Sequence, residues 1–155
     1  MIRNNVTRLL DSRKIQYEAY EFPGDEKRSA GGTAVLIGVP PEIVYKTIVV
    51  ARETKGKPIL CMVPATGEVN LKKLAAALGE KKLRLPTQRE AETITGLQAG
   101  GISPLALLNK GFQVCLDRSA ERHPHIHISG GRRGLNLRLA VNDLVALTGA
   151  KWVEA

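Results

Sequence analysis

Two apolar segments, Thr47-Ile-Val-Val-Ala51 and Pro58-Ile-Leu-Cys-Met-Val63, flank the turn Lys55-Gly56-Lys57, and this pair constrains the fold most. The first is β-branched and apolar without alternation, which is the composition of a buried strand, and the second is its partner across the turn. A buried hairpin needs other elements to cover it. The chain has 155 residues, 43% of them hydrophobic and 25% charged, enough to build one real core and far from the composition of disorder. No Pro/Gly/Ser linker, charge block or internal repeat divides it, so residues 1–155 read as a single domain.

Local signals supply the covering elements. Asn4 or Asn5 caps a helix carrying Val6, Leu9 and Leu10 and ending near Lys14, and Tyr17–Glu21 alternates like a strand. Ala34–Ile37, closed by Gly38, reads as a short helix, followed by a turn at Pro40-Pro41. Asn70 caps Leu71–Leu78, a helix stopped by Gly79 with Leu71, Leu74, Ala75 and Leu78 inward. Thr87 and Glu90 form a capping box for a helix to about Ile94, which Thr95-Gly96 ends. Strands are expected at Gln113–Leu116, His125–Ser129 and Leu135–Leu139, and Asn142 or Asp143 caps a closing helix to Thr148. The pattern predicts an α+β domain with a curved, largely antiparallel or mixed sheet.

Lys plus Arg total 23 against 15 Asp plus Glu, a formal charge of +8 that attracts polyanions or anionic surfaces. No run of 18 apolar residues occurs, and no apolar stretch follows Met1-Ile2-Arg3-Asn4-Asn5, so neither a membrane span nor a signal peptide is expected and the cytoplasm is the predicted location. One Trp, three Tyr and two Phe are too few for base-stacking platforms, so an RNA partner would be held through its phosphates. Cys61 and Cys115 stand in strand-like runs without metal or redox spacing and read as reduced core residues.

Chemistry concentrates at a few positions. Lys46, where a turn gives way to the apolar strand, is either a strand-edge lysine reaching solvent or one held in a pocket to meet a carboxylate, carbonyl or phosphate oxygen. The glycine-rich stretches Gly100-Gly101 and Ser129-Gly130-Gly131 are either tight turns or loops whose backbone N–H groups approach a ligand oxygen. Neither matches a dinucleotide or P-loop pattern. His123, His125 and His127 alternate as a metal comb would, but Pro124 disturbs that strand and no Cys or carboxylate cluster completes a ligand set, so no metal is expected. A triad of Ser129, a histidine and Asp117 or Asp143 has no supporting motif. The basic residues Lys72, Lys73, Lys81, Lys82, Arg84 and Arg89, and Arg118, Arg122, Arg132, Arg133 and Arg138, form either a solvated face or a phosphate-backbone surface.

Taken in order, Val44-Tyr-Lys-Thr47, Leu71-Lys-Lys-Leu-Ala75, Thr95-Gly96, Gly100-Gly-Ile-Ser-Pro104, Asp117, Ser129-Gly-Gly-Arg-Arg-Gly134 and Asp143-Leu144 resemble the YbaK family of stand-alone aminoacyl-tRNA deacylases, relatives of the editing domain inserted in some prolyl-tRNA synthetases. The likeness spans essentially the whole chain and is greatest to the Cys-tRNA(Pro) deacylase branch. It implies a mixed, barrel-like sheet flanked by helices and a small pocket receiving the aminoacyl 3′ end of tRNA. Lys46 matches the family's essential lysine. Tyr20, Thr47, Gly100, Gly101, Ser129 and Gly130 match pocket walls, and Asn136 is a further substrate-binding position, where relatives often have Asp. Ser29 stands where some relatives carry an aromatic residue.

The implied activity is removal of cysteine from mischarged Cys-tRNA(Pro), with Cys-tRNA(Cys) a second substrate, by attack of the substrate thiol on its own ester to give a cyclic thiolactone. No cofactor and no protein nucleophile is needed. Gly100 and Gly101 would hold the carbonyl, and Lys46 the 3′-terminal adenosine or its phosphate. The implied partners are the tRNA acceptor end and prolyl-tRNA synthetase, with no membrane and no DNA. Alternatives are a hydrolytic deacylase of Ala-tRNA(Pro) or another small aminoacyl-tRNA, and a non-catalytic tRNA- or synthetase-binding module.

Overall fold

A computed structural model describes residues 3–54 and 56–155; Met1, Ile2 and the hairpin-turn residue Lys55 lie outside the described residues. In chain order the elements are α1 (Asn5–Ser12), β1 (Tyr17–Glu21), α2 (Ala30–Ile37), β2 (Tyr45–Arg52), β3 (Ile59–Pro64), α3 (Leu71–Leu78), β4 (Leu83–Arg84), α4 (Gln88–Thr95), β5 (Gln113–Asp117), β6 (His125–Ser129), β7 (Leu135–Ala140), α5 (Val141–Thr148) and β8 (Lys151–Val153).

The helix ends follow the local signals. Asn4, Asn70 and Thr87 each accept a hydrogen bond from a backbone N–H of the first turn, and Gly79 and Gly96 close α3 and α4 in the left-handed conformation. α2 starts earlier than its apolar residues suggest, because Ser29 caps it ahead of Gly31-Gly32, which carry no apolar periodicity. The closing helix differs from expectation: its N-cap is Ala140, without a side-chain cap, and β7 runs straight into it. The N–H of Val141 is satisfied instead by the Pro124 carbonyl at 3.0 Å, so Asn142 and Asp143 sit inside the first turn.

The strands form two sheets rather than one barrel. The first, in the order β1-β7-β6, is antiparallel throughout; the second, β4-β2-β3-β5-β8, is antiparallel around β2 and parallel from β3 to β8. Among the described residues their backbones pair at one parallel bridge, Val44 to His127. Closure fails because β6 and β7 pair as a hairpin with β1, leaving, among the described residues, one isolated backbone bridge to the chain entering β2. β4 and β8, two and three residues long, are too short to show a periodicity and exist as edge pairings to Ala51-Arg52 and Cys115–Asp117.

Alternate residues of β3 serve opposite layers. Leu60 and Met62 enter a cluster with Ile126, Ile128, Leu137 and Leu144, whereas Ile59, Cys61 and Val63 join Leu74 and Ala75 of α3. Among the described residues no helix is long and apolar enough to cross a membrane. Truncating Leu60, which is wholly buried, opens a void that the rigid layers cannot refill; Leu60→Ala is expected to lower unfolding free energy by about 2–5 kcal/mol in urea denaturation.

Candidate functional site

Among the described residues β4 pairs with β2 only at Ala51 and Arg52, so the outer edge of β2 nearer its start faces no strand of its own sheet. A cavity of about 580 Å³ opens along that edge. Its other walls are α2, the start of α4, the 99–102 loop, and Ser129, Leu135 and Asn136 from β6 and β7. The site is therefore built where the two sheets part, beside the single bridge that joins them.

Lys46 enters this cavity with its side chain only 23% exposed, and its ammonium lies 3.1 Å from an Oε1 of Glu68, whose side chain is 87% exposed. An ion pair with so open a carboxylate is worth about 0–1 kcal/mol, so an anionic or carbonyl oxygen of a ligand can replace Glu68 at small cost. Next to it, Thr47 Oγ1 is the one buried side-chain polar atom without a hydrogen-bond partner among the described residues. An unmet buried hydroxyl costs roughly 1–3 kcal/mol, a deficit that a bound ligand or water removes.

On the opposite wall Asn136, nearly fully buried, is held by His127, with Nδ1 and Oδ1 3.0 Å apart. The amide oxygen can only accept, so Nδ1 carries the proton. Burial holds the His127 pKa below its usual 6.5, the Asn136 hydrogen bond opposing that shift, and the ring stays neutral near pH 7. Its ring also packs on Tyr20, with centroids 5.2 Å apart.

Of the residues expected at the site, Lys46, Thr47, Gly100, Ser129 and Asn136 line the cavity together. Tyr20, Gly101 and Gly130 do not. Tyr20 packs behind Asn136 on His127 and donates its hydroxyl to Glu18 at 2.9 Å. The Gly101 N–H donates to the Gln98 carbonyl at 2.8 Å and so is spent, contrary to the expected carbonyl-holding role; a Cβ there would lie 2.8 Å from the Arg132 backbone. At Gly130 a Cβ would lie 2.5 Å from Leu135 Cγ, and its N–H already donates to the Leu135 carbonyl. These two glycines permit close packing rather than ligand approach. The two glycine-rich loops in fact lock together, with Arg133 Nε donating to the Ala99 carbonyl at 2.7 Å.

Ser29, flagged by the family pattern, lines the cavity, and its hydroxyl is engaged in capping α2. Glu68 and His127 are site residues that the sequence reading missed as such. Glu68 sits in a loop 22 positions from Lys46 with no motif around it, and His127 was visible only as one member of an alternating histidine series.

No group of three or more His, Cys, Asp or Glu among the described residues has metal-holding geometry. The triad does not assemble: Ser129 Oγ accepts from the Gly131 N–H, His127 Nδ1 faces Asn136, and Asp117 accepts from Ser119 and Ala155. Burial pushes the Cys61 thiol up to about 12 and that of Cys115 to about 11, so neither forms a thiolate near neutral pH. Several basic residues are paired on the surface, including Arg84 with Glu90, Arg118 with Glu121 and Arg138 with Glu18.

Comparison with known proteins identifies the family and the fold. Residues 25–147 match the aminoacyl-tRNA editing domain. The chain belongs to that family. A protein of Enterococcus faecalis provisionally named Cys-tRNA(Pro)/Cys-tRNA(Cys) deacylase EbsC is 32% identical over 153 residues, covering 98% of this chain and 92% of its own. A proline–tRNA ligase of Thermodesulfovibrio yellowstonii is 31% identical over 91 residues, 59% of this chain and 15% of the ligase. Among solved structures, the hypothetical protein APE2540 superposes with a TM-score of 0.86 at 22% identity, covering 97% of this chain and 98% of its own. A candidate trans-editing enzyme for prolyl tRNA synthetase superposes at 0.80 and 24%, covering 99% and 98%. Both share the fold.

Unfolded, His127 titrates near 6.5, and folding lowers that value. Between the two values the unfolded chain binds the extra proton. The stability that the neutral ring contributes is thus complete above about pH 6.5 and is lost as pH falls toward the folded-state pKa. Wild type is expected to lose more urea stability between about pH 7.5 and pH 5 than His127→Gln, whose side chain does not titrate; equal losses would refute the assignment.

Proposed function

We propose that this chain is a trans-editing deacylase that clears cysteine from mischarged Cys-tRNA(Pro), and from Cys-tRNA(Cys). The observation that carries the reading is Lys46, enclosed in a cavity beside an unpartnered hydroxyl and held by a carboxylate that a ligand can displace. An aminoacyl ester is already activated, so the site has only to position it and stabilise charge on its carbonyl oxygen. Lys46 anchors the 3′-terminal adenosine or its phosphate. Gly100 and the Thr47 hydroxyl are placed on the cavity wall to meet the ester, and Asn136, its amide oxygen occupied by His127, faces the substrate with the rest of its side chain.

The chain's own cysteines are buried and protonated, and Ser129 has no base beside it, which favours a reaction carried by the substrate. The cysteine sulfur forms a bond to its own carbonyl carbon, the ester C–O bond breaks, and the thiol proton passes to the departing 3′ oxygen. The products are a cyclic thiolactone and free tRNA. Prolyl-tRNA synthetase is the expected partner, as suggested by the ligase segments similar to this chain.

Lys46→Ala is expected to lower kcat/KM on Cys-tRNA(Pro) by at least about a hundredfold while the circular dichroism spectrum stays native, since a positioning contact of this kind contributes about 3 kcal/mol to the transition state. Retained activity would remove Lys46 from the site. A panel of Cys-, Ala-, Ser- and Pro-charged tRNA(Pro) at one enzyme concentration checks the chemistry. Only the cysteinyl ester should be cleared, with thiolactone among the products. Clearance of Ala-tRNA(Pro) would establish the hydrolytic reading instead, and stoichiometric protection without turnover a binding module.

A further inference from the structure

Beyond the cavity, a second concave site lies between α3 and the edge strand β8. It is lined by Lys73 and Ala77 of α3, by Arg118, and by Lys151, Trp152 and Glu154 around β8. Three of these residues are cations drawn from three separate segments. Lys151 Nζ donates to the Ala77 carbonyl at 2.9 Å, which fixes its ammonium at the crevice wall. Arg118 pairs with Glu121 at 3.0 Å, both on the surface, and Lys73 and its neighbour Lys72 are exposed. No hydrogen bond or ion pair engages the Lys73 ammonium among the described residues. The carboxylates here are Glu154, Glu121 and Asp117, and Asp117 is occupied by the N–H groups of Ser119 and Ala155.

Sheet register ties this crevice to the first site. Lys46 lies opposite Val63, Met62 pairs with Leu116, so Val63 stands beside Asp117, and Asp117 pairs with Val153. Lys46 and Val153 therefore share one row across β2, β3, β5 and β8, three strand spacings or about 14 Å apart. They also share a face: Ile48 and Val50 of β2, Val63 of β3 and Val153 of β8 all pack in the layer with α3, the side on which Lys46 alternates. A strand of nucleic acid carries one phosphate per roughly 3.4 Å of rise when stacked; since α3 covers this row and leaves Val63 and Val153 buried, the strand has to pass around the helix, and about four nucleotides is the least that separates a terminus at Lys46 from this crevice.

We propose that the Lys73–Arg118–Lys151 crevice is a second, sequence-independent subsite that holds backbone phosphates of the acceptor strand four or more nucleotides inward from the 3′ end. The inference rests on the editing reading for the identity of the strand and on the sheet register for its reach. Phosphate contacts of this kind add affinity and register without touching the ester.

The test compares wild type, Lys73→Glu and Lys73→Ala/Arg118→Ala in deacylation of Cys-tRNA(Pro) and of 3′-cysteinyl adenosine, which has no phosphate. With tRNA the variants should raise KM about tenfold at low salt, leave kcat within twofold, and flatten the log–log salt dependence by about 1 for each phosphate no longer neutralised. With cysteinyl adenosine all three should match. Unchanged KM on tRNA, or equal losses on both substrates, overturns the subsite. Binding of uncharged tRNA, followed by fluorescence anisotropy, separates this from the editing reading. If wild type deacylates nothing, that reading fails, while the subsite stands if the variants bind tRNA more weakly and falls if they bind equally. Lys73→Ala alone, which removes an ammonium that makes no hydrogen bond or ion pair among the described residues, serves if the double variant does not fold.

Discussion

Burying β3 on both faces is the condition on which the rest of the molecule depends. Its backbone N–H and C=O groups must all be met by flanking strands, and its alternate side chains must find two separate apolar layers. β2 on one side and β5 on the other satisfy the first demand. The β6–β7 sheet with α5, and α3 across the other face, satisfy the second. Every later element is placed by that arrangement, including the parallel strand β8, which caps the far edge of the sheet and builds one wall of the basic crevice.

The cavity is a by-product of imperfect coverage. A two-residue β4 leaves most of one edge of β2 without a strand neighbour, and the other sheet reaches β2 through a single bridge. Lys46 sits at that gap, where a strand side chain can be mostly enclosed and still meet solvent. The interlocked glycine loops then seal one side, since Gly101 and Gly130 allow backbone and side chain to approach within distances that a Cβ forbids. Charge is arranged accordingly: the ammonium in the cavity is held weakly, and much of the remaining positive surface is paired or lies along the sheet toward α3 and β8.

How much could be read beforehand follows from the range of each interaction. Asn70 with the Lys73 N–H, Gly79 with the Ala75 and Ala76 carbonyls, and Thr87 with Glu90 are contacts within a few residues, so their types alone mark the helix ends. Ala140 at the start of α5 escaped because its helix is satisfied by Pro124, from a segment distant in sequence. Lys46 is legible as a charged residue at the head of an apolar run, and Thr47, Asn136 and Ser129 through the family pattern. Glu68, by contrast, is an ordinary loop glutamate until the chain returns it to Lys46, and His127 is only one of three alternating histidines until β6 and β7 pair it with Asn136.

By itself, then, the sequence determined the α+β class, the hairpin at its centre and the editing family, and marked Lys46 as a candidate, because apolar periodicity, caps and ordered motifs are local or cumulative signals. Tertiary structure alone decided which glycines face the cavity, which carboxylate holds Lys46, and how far the basic crevice stands from it. Those outcomes depend on strand register and on loops meeting across the chain, and a residue's type does not encode the partner that folding brings to it.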